Sequence, residues 1–249
     1  MKCITISIAT EKGGVGKTTT AQALIQGLRA KGYKALGVDL DTQGNLTFAF
    51  NCDKAPYSVF ELATKQKKAQ EVIYKDFIRA SDYISKKDFI EASNTSLKEA
   101  LEPIKKDYDF IIIDTPPKLD KTLIKALTSS DLVILPTFAE AFSLKGIDKA
   151  FKVVKAIKEA PNGNKELKIA GILLTMFNER NNLSKQLKEL IEAKAKSYNT
   201  IVFKTTIARN VAIAEAQALQ EPLLTYREDV KAIKNYKDFI NEFLDIIQK

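Results

Sequence analysis

The chain has 249 residues, of which 39 are lysine or arginine and 31 are aspartate or glutamate, so its formal net charge is +8 at pH 7. This length and a hydrophobic content of 45% are sufficient for one large domain with a buried core. The absence of histidine excludes histidine-based acid–base catalysis, and two cysteines without metal-binding spacing favour a reduced, cytoplasmic protein. No apolar run approaches the roughly 18 residues of a membrane span, so we expect neither a transmembrane helix nor export.

Short β-rich runs alternate with longer helical patterns along the chain, which is typical of parallel strands joined by crossover helices. The predicted fold class is α/β, with a doubly wound, mostly parallel sheet, helices on both faces and a single domain over residues 1–249. Strands are predicted at 2–9, 34–39, 110–114, 132–137, 168–175 and 201–203. Helices are predicted at 18–31, 94–106, 121–129, 143–159, 182–196, 211–218 and 229–248. Residues 53–93 show no clear pattern, and we expect them to belong to the same domain.

The segment after the first predicted strand, Lys-Gly-Gly-Val-Gly-Lys-Thr-Thr at 12–19, has the composition of a phosphate-binding loop. A glycine-rich turn that leads into a helix directs several backbone N–H groups and the positive end of the helix dipole at one anion. Lys17 is predicted to add a point charge, and the Thr18 hydroxyl is predicted to contact Mg²⁺. The predicted nucleotide-binding residues of the loop are Gly13, Gly14, Val15, Gly16, Lys17, Thr18 and Thr19.

Carboxylates lie at the ends of two further predicted strands. Asp39 and Asp41 follow the second strand, and Asp114 ends the strand at 110–114. Because ligands of an open parallel sheet bind beyond the carboxyl ends of its strands, these residues are expected to converge with the loop. Asp114 has the position of a carboxylate that orients Mg²⁺. Asp39 is predicted to be structural or to support the loop, whereas Asp41 is predicted to face the γ-phosphate, contact the metal and position or activate the attacking water.

Five segments together resemble the ParA/Soj partition ATPases, which carry a deviant Walker A motif. They lie at 12–19, 39–45, 111–117, 173–184 and 207–216, and the resemblance extends from residue 2 to about residue 240. The deviant form is recognised at position 11, where the general phosphate-loop pattern has glycine and this chain has Glu11 followed by Lys12. The resemblance implies an ATPase of weak basal activity that uses ATP and Mg²⁺, with Lys12, Lys17 and Asp41 as catalytic residues.

The same resemblance implies partners and a cellular role. ATP binding is expected to produce a sandwich homodimer in which Lys12 reaches the partner's nucleotide. The dimer is expected to bind double-stranded DNA without sequence preference, and a ParB/Spo0J-like centromere-binding protein is expected to stimulate hydrolysis, which releases the dimer from DNA. The implied role is partition of a plasmid or chromosome by a cytoplasmic, nucleoid-associated protein without stable membrane association.

Contacts to the rest of the nucleotide and to DNA are implied in the C-terminal half of the chain. Candidates for binding the nucleotide beyond its phosphates are Met176, Arg209 and Asn210. Candidates for binding DNA are Arg209, Arg227, Lys231 and Lys234. Basic side chains at helical spacing are sufficient for salt-dependent binding of the DNA backbone, although a solvated helix face explains such a pattern equally well.

Three substitutions depart from the family pattern. Thr42 replaces a proline next to Asp41, and Ala208 and Ala212 replace a proline and an arginine near the fifth segment. No helix-turn-helix pattern precedes the phosphate loop, which resembles the small, chromosomal-type members of the family.

Two alternative functions follow from other features of the sequence. A MinD-like membrane-cycling ATPase would use the apolar stripe at 233–247 as a detachable amphipathic helix, although a stripe with interspersed acidic residues is more typical of a core-facing helix. A nucleotide-binding scaffold with negligible turnover is motivated by Glu11 and Thr42.

Overall fold

The computed structural model describes residues 2–140 and 142–248. The strands are β1 (Ile4–Ile8), β2 (Ala35–Asp39), β3 (Phe77–Ile78), β4 (Phe110–Asp114), β5 (Leu132–Thr137) and β6 (Lys168–Leu174). The α-helices are α1 (Lys17–Ala30), α2 (Asn45–Ala49), α3 (Val59–Ala63), α4 (Ala69–Val72), α5 (Lys87–Glu91), α6 (Ser96–Leu101), α7 (Lys121–Thr128), α8 (Ser143–Glu159), α9 (Asn182–Ser197), α10 (Val211–Ala218), α11 (Leu223–Tyr226) and α12 (Lys231–Ile247). Short 3-10 helices cover Asp82–Ser85 and Glu102–Asp107.

Over the described ranges, the strands form a six-stranded sheet in the order β3-β2-β4-β1-β5-β6. All neighbouring strands in this sheet are parallel. The predicted α/β class with a doubly wound sheet is therefore confirmed. Strand β1 lies between β4 and β5. Strands β2, β3 and β4 therefore lie on one side of β1, and strands β5 and β6 lie on the other side. Such a reversal of strand order opens a crevice at the carboxyl ends of the strands, where ligands bind in folds of this kind.

Both faces of the sheet are buried under helices. Alternate residues of β4 show this directly, because Phe110 and Ile112 pack in a cluster with α1 and α12, whereas Ile111 and Ile113 pack in a second cluster with α3 and α6. Successive side chains of a strand point to opposite faces, so a strand buried on both faces consists of continuous apolar residues. This is why β4 reads as an uninterrupted apolar run.

The last described helix, α12, packs across the helix that follows the phosphate loop. A Cβ atom at Gly27 of α1 would collide with the side chain of Ile240, so glycine permits the close approach of the two helices. Tyr236 is 1% exposed, and burial raises the pKa of its hydroxyl to about 12. The apolar stripe of α12 therefore forms part of the core. Within 2–140 and 142–248, no helix has both the length and the hydropathy that crossing a membrane requires.

Two predicted elements differ from the structure. The predicted strand at 201–203 is wrong as a strand, because only Val202 forms a bridge, to Ile172, and the ladder does not extend. The predicted helix at 94–106 is wrong in its second half, because α6 ends at Leu101 and a 3-10 helix continues the chain. Pro103 lies at the start of that 3-10 helix, and a proline there removes an N–H donor that a continuing α-helix would need.

The segment at 53–93 contains short elements that the sequence pattern did not resolve. Ser58 caps α3 and exchanges hydrogen bonds with Glu61, so a capping box begins this five-residue helix. The two-residue strand β3 pairs with β2 and forms one edge of the sheet. This pairing attaches the segment to the same sheet as the phosphate loop.

Lys125 of α7 is a buried cation that holds the end of this segment. Its Nζ donates to the backbone carbonyl oxygens of Ala92 and Ser93, the second at 3.1 Å. Burial lowers the pKa of Lys125 to about 8, with a further contribution from the charge of Lys121. A neutral amine retains two N–H groups for the two carbonyls, so deprotonation removes a buried charge without breaking the contact.

We expect the wild-type protein to gain stability relative to a Lys125→Met variant between about pH 8 and about pH 9.5. Over this interval Lys125 is largely protonated only in the unfolded chain, so the unfolded state binds more protons and stability rises with pH by about 1 kcal/mol per unit. Urea unfolding of both proteins at the two pH values measures the difference. Lys145→Met, which removes an exposed lysine, is the matched control, and a pH-independent effect of Lys125→Met would contradict the prediction.

Candidate active site

The loop between β1 and α1 lies at the carboxyl edge of the sheet and has the backbone geometry of an anion site. Gly14 and Gly16 have φ values of 73° and 81°, a conformation that residues with a Cβ atom rarely adopt. Gly16 is the N-cap of α1, and no side chain among the described residues caps this helix. The first N–H groups of α1 and the positive end of its dipole are therefore left for an anionic ligand.

Lys17 lies beneath this loop and is 7% exposed. Its Nζ donates to the carbonyl oxygen of Lys12 at 3.2 Å. Desolvation lowers the pKa of Lys17, whereas the carboxylates of Asp114 and Asp41 act in the opposite direction. A phosphate group in the loop would supply a strong acceptor for this buried ammonium group, because charge-assisted hydrogen bonds are strengthened where water is excluded.

Thr18 and Asp114 are brought together at the ends of α1 and β4. The Thr18 hydroxyl donates to the Asp114 carboxylate at 2.7 Å. Asp114 is fully buried, and its pKa is raised well above the ordinary value by desolvation and by the charge of Asp39. A cation would reverse both effects, so a divalent metal fits this pair of oxygen ligands.

Asp39 and Asp41 have different surroundings. Asp39 is fully buried and accepts hydrogen bonds from the Thr47 N–H and hydroxyl, both at 2.8 Å, and from the Asp41 N–H at 3.0 Å. Burial raises the pKa of Asp39 to about 6 against the effect of these donors. Asp41 accepts a hydrogen bond from the Gln43 N–H at 3.1 Å. The Asp39 carboxylate therefore shapes the 40–47 loop, which leaves Asp41 as the carboxylate available to a ligand.

Lys12 contacts the segment between β5 and α8, and Glu11 contacts α8 itself. The Lys12 Nζ donates to the Glu140 carboxylate and lies 4.7 Å from the centre of the Phe138 ring. The carboxylate of Glu11 pairs with Lys149 of α8 at 3.2 Å. Lys12 is 38% exposed as a side chain, unlike the buried Lys17. The two lysines of the motif therefore lie in different environments.

A pocket of about 300 Å³ lies beside the loop, between α1 and α10. Met176, Arg209 and Asn210 all line it, together with Gly16 and Thr19 of the phosphate loop. Met176 has a φ of 50°, which turns the chain sharply after β6, and the Asn210 side chain caps α10 by accepting from the Ala212 N–H. The three candidates for binding the rest of a nucleotide are thus adjacent to the loop that would bind its phosphates.

Similarity to known proteins decides the family. A family model described as AAA domain matches residues 3–169. The sporulation initiation inhibitor protein Soj of Bacillus subtilis (strain 168) is 34% identical in an alignment that covers 95% of this chain and 96% of that protein. The chromosome partitioning protein ParA of Myxococcus xanthus is 30% identical, over 93% of this chain and 84% of that protein. This chain belongs to the Soj/ParA family of P-loop ATPases. The predicted family is thereby confirmed.

A solved structure adds chemical information about this ATPase fold. Cobyrinic acid a,c-diamide synthase from Mycobacterium smegmatis with bound ADP and magnesium superposes with a TM-score of 0.84 at 25% identity, over 99% of this chain and 96% of that one. Because that enzyme is a synthase, the shared fold does not by itself distinguish partition from other ATP-dependent reactions.

The candidate DNA-binding residues of the ATPase differ in their contacts. Arg209 lines the pocket beside the phosphate loop, whereas Arg227 lies 3.8 Å from Glu215 and Lys231 donates to Glu179. Lys234 is exposed on α12. Arg209 follows Ala208, whose N–H donates to the Asn235 side chain of α12 at 3.2 Å, so Arg209 lies beside the helix that carries Lys231 and Lys234.

Several residues that shape the site were not found by sequence reasoning. Thr175 donates to the Val15 carbonyl oxygen at 2.9 Å, Gln217 donates to the Thr19 hydroxyl at 3.2 Å, and Thr47 binds Asp39. Glu140 is the partner of Lys12. The contacts of Thr175, Gln217 and Glu140 join residues that are at least 128 positions apart in the sequence, so no local pattern could indicate them. Thr47 is the exception, because it lies 8 positions from Asp39.

Proposed function

We propose that residues 1–249 form one ATPase domain that binds ATP with Mg²⁺, dimerises, associates with double-stranded DNA and hydrolyses ATP to drive plasmid or chromosome partition. The observation that carries this proposal is the convergence of Lys17, the Thr18–Asp114 pair and Asp41 at the carboxyl ends of β1, β2 and β4. The ADP and magnesium named for the synthase structure agree with the ligands predicted from the sequence.

Each residue of the site has a distinct role in this proposal. Thr18, Asp114 and Asp41 would hold Mg²⁺, which neutralises charge on the phosphates when bound. Lys17 and the N–H groups of the loop bind the phosphate oxygens. Asp41 orients a water molecule for attack on the γ-phosphorus and accepts its proton, while the bond to the β–γ bridging oxygen breaks and ADP leaves. Phosphoryl transfer depends mainly on positioning and charge neutralisation, which these residues supply.

The proposed homodimer places two such sites face to face, so that Lys12 of each protomer reaches the partner's nucleotide. Exposed apolar side chains around the site support a protein partner on this face. Leu119, Phe142, Met176, Leu183 and Val211 are 43% to 75% exposed, and all lie in or next to loops that follow the strands or in the first turn of the next helix. Apolar groups clustered around a polar site are typical of an interaction surface.

Association with DNA and with a ParB/Spo0J-like protein belongs to the same proposal. The net charge of +8 favours a polyanionic partner, and Arg209 and Lys234 are exposed. A nucleoid-associated location in the cytoplasm follows from DNA binding. The name of one relative, the chromosome partitioning protein ParA, supports partition as the role of this ATP-dependent DNA binding.

The membrane-cycling alternative lacks the feature that it needs within the described residues. Ile233, Tyr236, Phe239, Ile240 and Phe243 of α12 are all buried. A helix whose apolar face already packs against α1 has no such face left for lipid.

The proposal is tested by DNA binding at fixed salt. A labelled duplex of mixed sequence is titrated with the protein in the presence of ATP, ADP or no nucleotide, and fluorescence anisotropy reports binding. We expect ATP to strengthen binding at least about 10-fold over ADP, because only the dimer presents two basic surfaces to one duplex. The Lys12→Ala variant should bind ATP normally and lose the ATP-dependent gain.

Lys31→Ala removes one exposed lysine at the far end of α1 and serves as the charge-matched control. Equal DNA affinity with ATP, with ADP and without nucleotide would contradict the proposal that ATP controls DNA binding. Normal ATP-dependent dimers of the Lys12→Ala variant would contradict the sandwich arrangement.

A further inference from the structure

Two adjacent residues at the start of the phosphate loop form ion pairs with consecutive parts of the chain, the loop after β5 and helix α8 that follows it. Lys12 pairs with Glu140, and Glu11 pairs with Lys149 at 3.2 Å. Lys12 and Glu11 carry opposite charges, as do Glu140 and Lys149, so each residue has a complementary partner. Phe138, which precedes Glu140 in the same segment, contributes its ring face to the Lys12 ammonium group. These contacts occur within one protomer.

We propose that Glu140 is a positioning residue that holds Lys12 within its own protomer and thereby sets the ATP concentration at which the protein dimerises. This inference rests on the proposed function, in which Lys12 must reach the nucleotide of the second protomer. The Lys12–Glu140 contact within the protomer and the contact of Lys12 with the partner's phosphates compete for one ammonium group. Dimerisation therefore requires both protomers to exchange a carboxylate for a phosphate.

The exposure of the pair determines how strong this restraint is. The side chains of Lys12 and Glu140 are 38% and 56% exposed, and exposed ion pairs are weak because water and salt screen them. The contact therefore opens readily and raises the threshold for dimerisation without blocking it. Breaking one such pair is expected to change an equilibrium about threefold, and a dimer that opens two pairs about 10-fold.

The second ion pair has a complementary effect on the same loop. Glu11 places a carboxylate at the position where the general phosphate-loop pattern has glycine, and an unpaired carboxylate there would repel a phosphate group. Lys149 neutralises it at 3.2 Å. Lys149 thus reduces the repulsion between Glu11 and the nucleotide, while Glu140 restrains Lys12.

The test uses Glu140→Gln, which keeps the side-chain shape and removes the charge. Sedimentation equilibrium with Mg²⁺ and the non-hydrolysable analogue AMPPNP measures the dimer dissociation constant. We expect this constant to fall about 10-fold in Glu140→Gln, and the difference to shrink at high salt. Glu166→Gln, which removes an exposed carboxylate elsewhere on the chain, has the same net charge and should behave as wild type.

A second measurement reports on Lys12 without nucleotide or dimer. Labelling of lysine amines with a succinimidyl ester, followed by mass spectrometry, gives the reaction rate of Lys12 in the nucleotide-free protein. This rate should rise in Glu140→Gln and stay unchanged in Glu166→Gln. AMPPNP affinity in a Lys12→Ala background isolates any general effect of the Glu140 charge, and adding Glu140→Gln there should change it less than twofold.

Each outcome bears on one part of the inference. An unchanged labelling rate overturns the contact, and a faster rate with an unchanged dimer constant overturns the restraint on dimerisation. If Glu140→Gln raises AMPPNP affinity equally in the wild-type and Lys12→Ala backgrounds, the Glu140 charge acts by general electrostatics and not through Lys12, which overturns the mechanism. If wild type and both charge variants all remain monomeric with AMPPNP, the proposed function fails and the restraint fails with it; dimers of unaltered affinity in Glu140→Gln overturn the restraint alone.

Discussion

Replacing Lys17 with alanine is expected to weaken ATP binding about 100-fold. Lys17 is 7% exposed, so a hydrogen bond from its ammonium group to phosphate would be charge-assisted and shielded from water. Thermal or urea unfolding with ATP and Mg²⁺ gives a direct readout. At an ATP concentration 100 times the wild-type dissociation constant, wild type should gain about 2.7 kcal/mol and the variant about 0.4 kcal/mol.

Two control variants separate the charge from other effects of this substitution. Lys17→Met fills the space of the lysine stem without the charge, and it should lose ATP binding as Lys17→Ala does. Lys31→Ala changes the net charge equally at the other end of α1 and should keep the full ATP-dependent gain. Retained stabilisation of Lys17→Met by ATP would show that the ammonium group does not contact the nucleotide.

Replacing Asp41 with asparagine is expected to reduce ATP hydrolysis at least about 100-fold while ATP binding persists. The Asp41 side chain accepts the Gln43 N–H at 3.1 Å, and an asparagine oxygen can accept the same hydrogen bond. The variant therefore keeps the loop conformation and loses the carboxylate that orients and deprotonates water. Phosphate release measures turnover, and sedimentation measures whether the ATP-bound dimer accumulates.

The Asp41→Ala variant should behave in the same way but with a less ordered 40–47 loop. Asp53→Asn, an exposed aspartate in the following segment, is the matched control for charge. Turnover that is unchanged in Asp41→Asn would remove Asp41 from the catalytic role. Wild-type turnover that is also negligible would favour the nucleotide-binding scaffold.

The parts of the fold that sequence predicts well are those with strong local patterns. Strand β4 is a continuous apolar run that ends in Asp114, and both properties follow from a strand buried on two faces with its carboxyl end at a ligand crevice. The loop before α1 is recognisable because glycine, lysine and threonine have separate chemical tasks there. For these elements, the residues that the folded structure requires are adjacent in the sequence, so the local pattern reveals them.

The parts that sequence did not predict depend on distant contacts. Strand β3 has two residues, and its register is set by pairing with Gly37 and Val38 of β2. The predicted strand at 201–203 has a suitable composition but forms a single bridge to Ile172. The contact between Lys12 and Glu140 joins residues that are far apart in sequence and share no motif. Propensity cannot report such pairs, because tertiary packing decides them.

The packing of α12 against α1 has a consequence for synthesis of the protein. Helix α1 leaves the ribosome about two hundred residues before α12, and until then the apolar face that receives Ile240 beside Gly27 is uncovered. Tyr236, whose hydroxyl lies 3.7 Å from the Cβ position of Gly16, also arrives only with α12. A nascent chain that has not yet reached α12 therefore carries its phosphate-binding sequence without this packing support.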